Sequence, residues 1–181
     1  MKPAGPLMIE HRLIERMIAL MDNEQEKIKS SNDVDVEFLE NCIDFLRIYA
    51  DKCHHGKEED ILFRDLDKKE LSPEHRQIMS ELIDQHVWAR KKVGNMSDLL
   101  DRYREGEDKA AGEISQILDE LTDFYPAHIE TEDKNFFLPV MDYFDEGEME
   151  SMLDEFRKLD SDLIHDVFKE KMSKWEESKG E

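Results

Sequence analysis

The sequence predicts an all-α protein: an up-down-up-down four-helix bundle with two additional C-terminal helices. Three observations predict it. Apolar residues recur at steps of three and four through four long stretches. Short breaks rich in capping and helix-stopping residues separate those stretches. No run alternates with the period of two that a strand needs. The 181 residues suit one domain over 1–181, with a core bundle at about 7–140 and a helical extension at about 146–178.

The first helix begins after the prolines at Leu7 and runs to about Ile28, with Leu7, His11, Ile14, Ile18 and Met21 inward. Lys29 to Asp33 is a break, and Asp33 or Asp35 can cap the second helix. That helix spans about Val36 to Leu66. Ser72-Pro73-Glu74 reads as an N-cap with proline in the first helical turn, opening a third helix to about Arg104. Its inward row is Met79, Leu82, His86, Ala89, Val93, Met96 and Leu100. After the Gly106 turn a fourth helix begins near Lys109, with Ile114, Ile117, Leu121, Tyr125, His128 and Glu132 along one row. Pro126 lies inside this pattern and is expected to kink or restart the helix just before His128. Beyond Gly147, Met149–Lys158 and Asp162–Ser178 look like two shorter helices, apolar at Met152, Leu153, Phe156, Leu163, Ile164, Phe168 and Met172.

Composition narrows the function classes. Hydrophobic and charged residues each make up 39% of the chain, and the charge follows amphipathic patterns, so a folded helical protein is expected. A net charge of −21 repels nucleic acid and anionic membranes, and neither is an expected partner. No apolar run approaches transmembrane length and no signal-peptide pattern comes after Met1, so a soluble cytoplasmic protein is the expectation. Cys42 and Cys53 fall on one helix, roughly 16 Å apart along its axis. That is too far for a disulfide, and two buried free thiols are expected.

The chemistry concentrates in Cys53-His54-His55-Gly56-Lys57-Glu58-Glu59-Asp60. His54 and Glu58 stand one helical turn apart in the row Leu39, Ile43, Leu46, Ala50, His54, Glu58, Ile61, which is otherwise apolar. His55 and Glu59 share the spacing, but their row runs through Asp44, Ile48, Asp51 and Lys52, a flank on which His55 would at most support a ligand. A buried imidazole beside a buried carboxylate is costly unless compensated, and a metal ion is the usual compensation.

Of the seven histidines, His11, His54, His86 and His128 lie on the inner rows of four different helices. In an up-down bundle, residues on consecutive helices share a height when the turn falls midway between them. The midpoints, between 32 and 33, at 70 and at 107, all fall in breaks placed from turn chemistry alone. The four imidazoles are therefore expected to converge at one level, joined by Glu58 and Glu132. A single histidine on an apolar stripe is more often a satisfied core residue. Four at one level, two with a carboxylate one turn on, would each need a separate buried partner. His75 and His165 read as ordinary residues.

The set His11, His54-x-x-x-Glu58, His86, His128-x-x-x-Glu132 resembles the hemerythrin-like HHE cation-binding family, over roughly residues 7 to 140. The resemblance implies a bundle holding two non-haem irons bridged by two carboxylates and an oxo or hydroxo group. By position, His11 and His54 would bind one iron, His86 and His128 the other, and Glu58 and Glu132 would bridge. Two departures stand out. Oxygen carriers of the family have a histidine four residues after the third-helix histidine, where this chain has Arg90. Their bridging aspartate comes five residues after the last histidine, so Asp133 competes with Glu132, which is favoured because it shares the row of His128. Tyr125 is a candidate extra ligand or redox neighbour, or simply a packed aromatic. Arg90 is either a surface ion-pair partner or a group that meets an anionic ligand. The expected function is binding of, or reaction with, a small oxidant: dioxygen, peroxide or nitric oxide, for sensing, detoxification or iron handling. The alternative is a non-redox module holding zinc or manganese and acting through protein contacts.

Overall fold

A computed structural model describes residues 2–161 and 164–179, whose regular elements are all helices joined by short turns, with no strand among them. Helix α1 is Ala4–Ser31. It stops at Asn32, whose left-handed conformation (φ 56°) turns its N–H back onto the Ile28 carbonyl at 2.8 Å. Asp35 is the N-cap of α2, accepting from the Phe38 N–H at 2.9 Å, a contact worth about 1 kcal/mol.

Helix α2 covers residues 36–66, as the sequence predicts, but it is not a uniform α-helix. Val36–Asp44 is α-helical, Phe45–His55 and Glu58–Phe63 take wider π-helical turns, and Arg64–Leu66 is α-helical again. Helix α3 is Pro73–Arg104, with Ser72 accepting from the His75 N–H at 3.1 Å. Gly106 closes the next turn at φ 95°, a conformation that a side chain would strain.

Helix α4 covers residues 110–140: Ala110–Glu130 as α-helix, Thr131–Phe136 as a π-helical stretch, then Phe137–Val140. The restart expected at Pro126 does not occur, since Ala110–Glu130 runs through it as one α-helix. Pro126 is exposed, so the ladder bond it removes lies on the outer face, where water can replace it. The irregular turn comes instead at Thr131–Phe136, around Glu132.

Helix α5 (Glu146–Leu159) extends beyond the expected Met149–Lys158 at both ends, and α6 (Ile164–Lys179) ends one residue beyond the expected Ser178. A capping box between Asp145 and Glu148 starts α5. Met152, Phe156, Phe168 and Met172 are buried as expected. The expectations for Asp162, Leu163 and the Ile164 side chain lie outside the described residues. Helix α5 packs on the Glu58–Phe63 part of α2, and α6 packs across α1 and the Phe45–His55 part of α2.

The core is divided in two. One apolar cluster fills the end of the bundle near the α1–α2 and α3–α4 turns and includes Met17, Leu39, Phe45, Met96 and Leu121. The other fills the opposite end and includes Leu7, Leu62, Leu82, Phe136 and Phe156. Between them lies a buried polar layer: Glu10, His11, His54, His55, Lys57, Glu58, His86, His128 and Glu132. Both cysteines are buried and free. No described helix is long and apolar enough to cross a membrane.

Leu121 is fully buried and belongs to the first cluster, away from the polar layer. Leu121→Ala is expected to cost about 2–5 kcal/mol in urea denaturation, the usual range for a buried leucine. Metal content measured on the folded variant should not change.

Candidate metal centre

All six side chains predicted to converge do so. Nε2 of His11 and Nε2 of His54 lie 2.9 Å apart, and the rings of His86 and His128 meet edge to face with centroids 5.1 Å apart. Glu58 lies between these two halves. Its Oε1 is 3.4 Å from Nε2 of His54, and its Oε2 is 3.4 Å from Nε2 of His86. Glu132 does the same from the facing helix. Its Oε2 is 3.1 Å from Nε2 of His11, and its Oε1 is 3.2 Å from Nε2 of His128 and 3.6 Å from Nε2 of His86. Each carboxylate thus offers one oxygen to each half.

Both oxygens of Glu58, both of Glu132, and Nε2 of His86 and His128 are buried without a hydrogen-bond partner. Six such atoms in one small volume is an arrangement that hydrogen bonding within the chain does not explain. The donor set fits a pair of cations: imidazole nitrogen and carboxylate oxygen, with no thiolate among them.

The outer nitrogens are all engaged. Nδ1 of His11 faces Asp133 at 2.7 Å, Nδ1 of His54 faces Glu10 at 2.8 Å, Nδ1 of His86 faces Glu59 at 2.7 Å, and Nδ1 of His128 faces Gln85 at 2.7 Å. An acceptor at Nδ1 fixes the proton there and leaves Nε2 free to point inward, the pattern that orients metal-binding histidines. Asp133, the alternative bridge, takes this outer position beside His11 and also pairs with Arg12 at 2.5 Å. Neither Glu10 nor Gln85 carried a spacing signal, and the spacing of Glu59 pointed to His55 rather than to His86; each is the acceptor it is because another helix brings a histidine to it.

His55 departs from expectation. A regular α-helix would put it on the flank, but it is only 2% exposed. Its ring stacks on His86 with centroids 3.9 Å apart, and its Nδ1 lies 3.4 Å from Asp51. The wider π-helical turn that ends at His55 advances less per residue, so neighbours 54 and 55 both face inward. One ligand-type atom from each of His55, His86 and His128 lies within 4.8 Å of the others, as do those from His11, His54, Glu58 and Glu132.

Arg90 is exposed on α3, with Nε 2.7 Å from Asp51 and Nη2 2.6 Å from Glu59, so the ion-pair reading holds. A cavity of about 260 Å³ opens beside it, lined in part by Leu46, His55, Ala89, Val93, Gly94 and Tyr125. Tyr125 is buried, with its ring 6.4 Å from that of His128. His75 bonds the Tyr143 hydroxyl at 2.9 Å, far from the convergence in sequence and role. His165, expected to be ordinary, meets Tyr49, Lys57 and Asp160.

The electrostatics are those of charge confined in a dry layer. Burial and the nearby Glu132 push Glu58 well up. Glu132 is also opposed by burial, yet His128, His11 and His86 hold it well down. Burial disfavours charge on His11 too, but Asp133 and Glu132 raise it to about 10. Burial lowers His128 to about 4 although Glu132 opposes it, and burial with a neighbouring imidazole lowers His54 and His55.

These directions set a pH profile for chelator-stripped protein. His128 folds with a value of about 4, below the ordinary ~6.5, so its contribution is full above ~6.5 and is lost as pH falls towards 4. His11 folds with a value of about 10, so its contribution is full below ~6.5 and is lost as pH rises through 10. Calorimetry should show the acid limb made shallower by His128→Leu, and the alkaline limb made shallower by His11→Leu.

The sequence profile of the hemerythrin HHE cation binding domain matches residues 5–138. No curated protein and no solved structure matches the chain. The profile match spans every side chain of the buried polar layer, and the chain belongs to the hemerythrin HHE cation-binding domain family, a family of metal-binding helical bundles.

Proposed function

We propose that the protein is a non-haem di-iron protein that binds or reacts with a small oxidant: dioxygen, peroxide or nitric oxide. The observation that carries this reading is the pair of buried carboxylates, each with one oxygen near the His11–His54 half and the other near the His86–His128 half. In this reading His11 and His54 hold one ion, His86 and His128 hold the other, and Glu58 and Glu132 bridge them. His55 supplies a further imidazole to the second ion, in place of the one that Arg90 does not provide. Nitrogen and carboxylate donors without thiolate suit iron, and a bridged iron pair supplies one- and two-electron chemistry towards oxygen and nitrogen oxides.

The chain's own groups do the rest. The outer acceptors hold a proton on each Nδ1 and aim each Nε2 inward. The two apolar clusters keep water out of the layer from both ends. The cavity beside His55 and Tyr125 gives a molecule of a few atoms a route to the second half alone. Arg90, tied to Asp51 and Glu59 at its mouth, fixes the acceptors of His55 and His86.

Elemental analysis of freshly purified protein tests the ion count and identity: two iron ions per chain, with ultraviolet and visible absorption of a bridged ferric pair. Stoichiometric zinc with no such absorption would overturn the redox reading. His54→Ala and Glu58→Ala are expected to lose one or both ions, His55→Ala to loosen one, and His75→Ala to keep both.

The entry route has its own test. Gly94 lines the cavity, and nothing lies within 4 Å of the position a Cβ would take there. Gly94→Leu should therefore be accommodated, and its side chain should obstruct the cavity. Azide titration of the oxidised protein should show affinity reduced about tenfold or more, with iron content unchanged. Equal azide affinity in the two proteins would move the entry route elsewhere.

A further inference from the structure

Outside the converging ligands the bundle holds a second buried polar cluster, built around Lys57. This side chain is 0% exposed. Its Nζ lies 2.5 Å from Glu10 Oε1, 2.5 Å from Asp160 Oδ1 and 3.2 Å from His165 Nε2. His165 Nε2 is also 2.8 Å from Asp160, and its Nδ1 is 3.0 Å from the Tyr49 hydroxyl. Cys53 Sγ completes the surround, 3.6 Å from Nζ and 3.3 Å from Asp160. Cys53, Asp160 and His165 are spaced as metal ligands could be. The Lys57 ammonium sits among them, however, so a cation of the chain's own is already in place.

Burying an ammonium is costly, and apolar side chains would dock two helices more simply. What the cluster adds is a connection. Glu10 Oε1 meets Lys57, while Glu10 Oε2 accepts from Nδ1 of His54. Asp160 and His165 lie beyond the residues matched by the family profile. A continuous chain of charged contacts therefore runs from Asp160 and His165 in the C-terminal helical extension, through Lys57 and Glu10, to one histidine of the centre.

We propose that the C-terminal helical extension is a positioning element of the metal centre, with Asp160 and His165 as positioning residues that act on His54 through Lys57 and Glu10. The proposal rests on the di-metal reading. Asp160 shares the ammonium with Glu10. If Asp160 loses its charge, Lys57 draws on Glu10 alone, and Glu10 becomes a poorer and less fixed acceptor for His54. The effect falls on the His11–His54 half. The His86–His128 half has acceptors of its own in Glu59 and Gln85.

The test uses full-length protein loaded with zinc and measures its release to a chromogenic chelator. Wild-type protein should release two ions slowly. Asp160→Asn and His165→Leu should release one of the two about 10- to 100-fold faster, the range seen when groups behind a metal ligand are removed. Asp160→Glu should restore the slow rate. Met172→Ala is the control, because it loosens α6 at a fully buried residue that takes no part in the Lys57 contacts. Release from Asp160→Asn at the wild-type rate, or equal acceleration in Met172→Ala, would overturn the proposal while leaving the di-metal reading intact. A third zinc ion bound at Cys53, Asp160 and His165 would also overturn it. Wild-type protein that takes up no zinc at all would remove the di-metal reading, and this inference with it.

Discussion

Two carboxylates without hydrogen-bond partners, buried at the middle of a helical bundle, are the constraint on which the rest depends. Glu58 and Glu132 are both fully inaccessible. Taking a carboxylate out of water costs far more than one hydrogen bond returns, so these groups persist only where positive charge or strong donors surround them. The surround is made of imidazoles from every helix of the bundle. That requirement fixes the register of α1, α2, α3 and α4 against one another, because a shift of one turn on any helix would withdraw a histidine from the layer. It also explains the divided core. Apolar packing cannot cross the layer, so it gathers into a cluster on either side.

The two halves of the layer are built differently. On the His11–His54 side the outer acceptors are Glu10 and Asp133, and the surroundings are closed by Lys57, α5 and α6. On the other side the acceptors are Glu59, Gln85 and the more distant Asp51, and a cavity reaches His55 and Tyr125. One half is thus held by a dense set of buried charges, and the other borders space that a small molecule can enter. Such an asymmetry is what the proposed di-metal reading needs if one ion is to be retained while the other exchanges what it binds.

Local backbone geometry matters to this assembly. His54 and His55 end one π-helical stretch, Glu58 opens another, and Glu132 lies in a third. Wider turns leave some carbonyls less regularly bonded than in an α-helix, and they persist where tertiary contacts return that loss. Here the return is a second inward imidazole at position 55 and a carboxylate lying between two pairs of histidines.

The sequence by itself determined the bundle, its turns and the convergence of six side chains. Those features come from local rules: apolar period, the Asp35 and Ser72 caps, the Gly106 turn, and the symmetry of histidine positions about the three breaks. The tertiary structure decided what no single helix carries. His55 turned inward because the helix around it takes wider turns, where it packs against α1, α3 and α6. Pro126 was absorbed because its bare side met solvent. Glu10, Glu59 and Gln85 became acceptors because distant histidines arrived beside them. Lys57, which reads from its spacing as one charge in a charged run, became fully buried because Glu10 of α1 and Asp160 after α5 close over it. Periodicity reports which face of a regular helix turns inward. It does not report where the helix departs from regularity, nor which charge another segment will cover, because both are fixed by contacts between residues far apart in the chain.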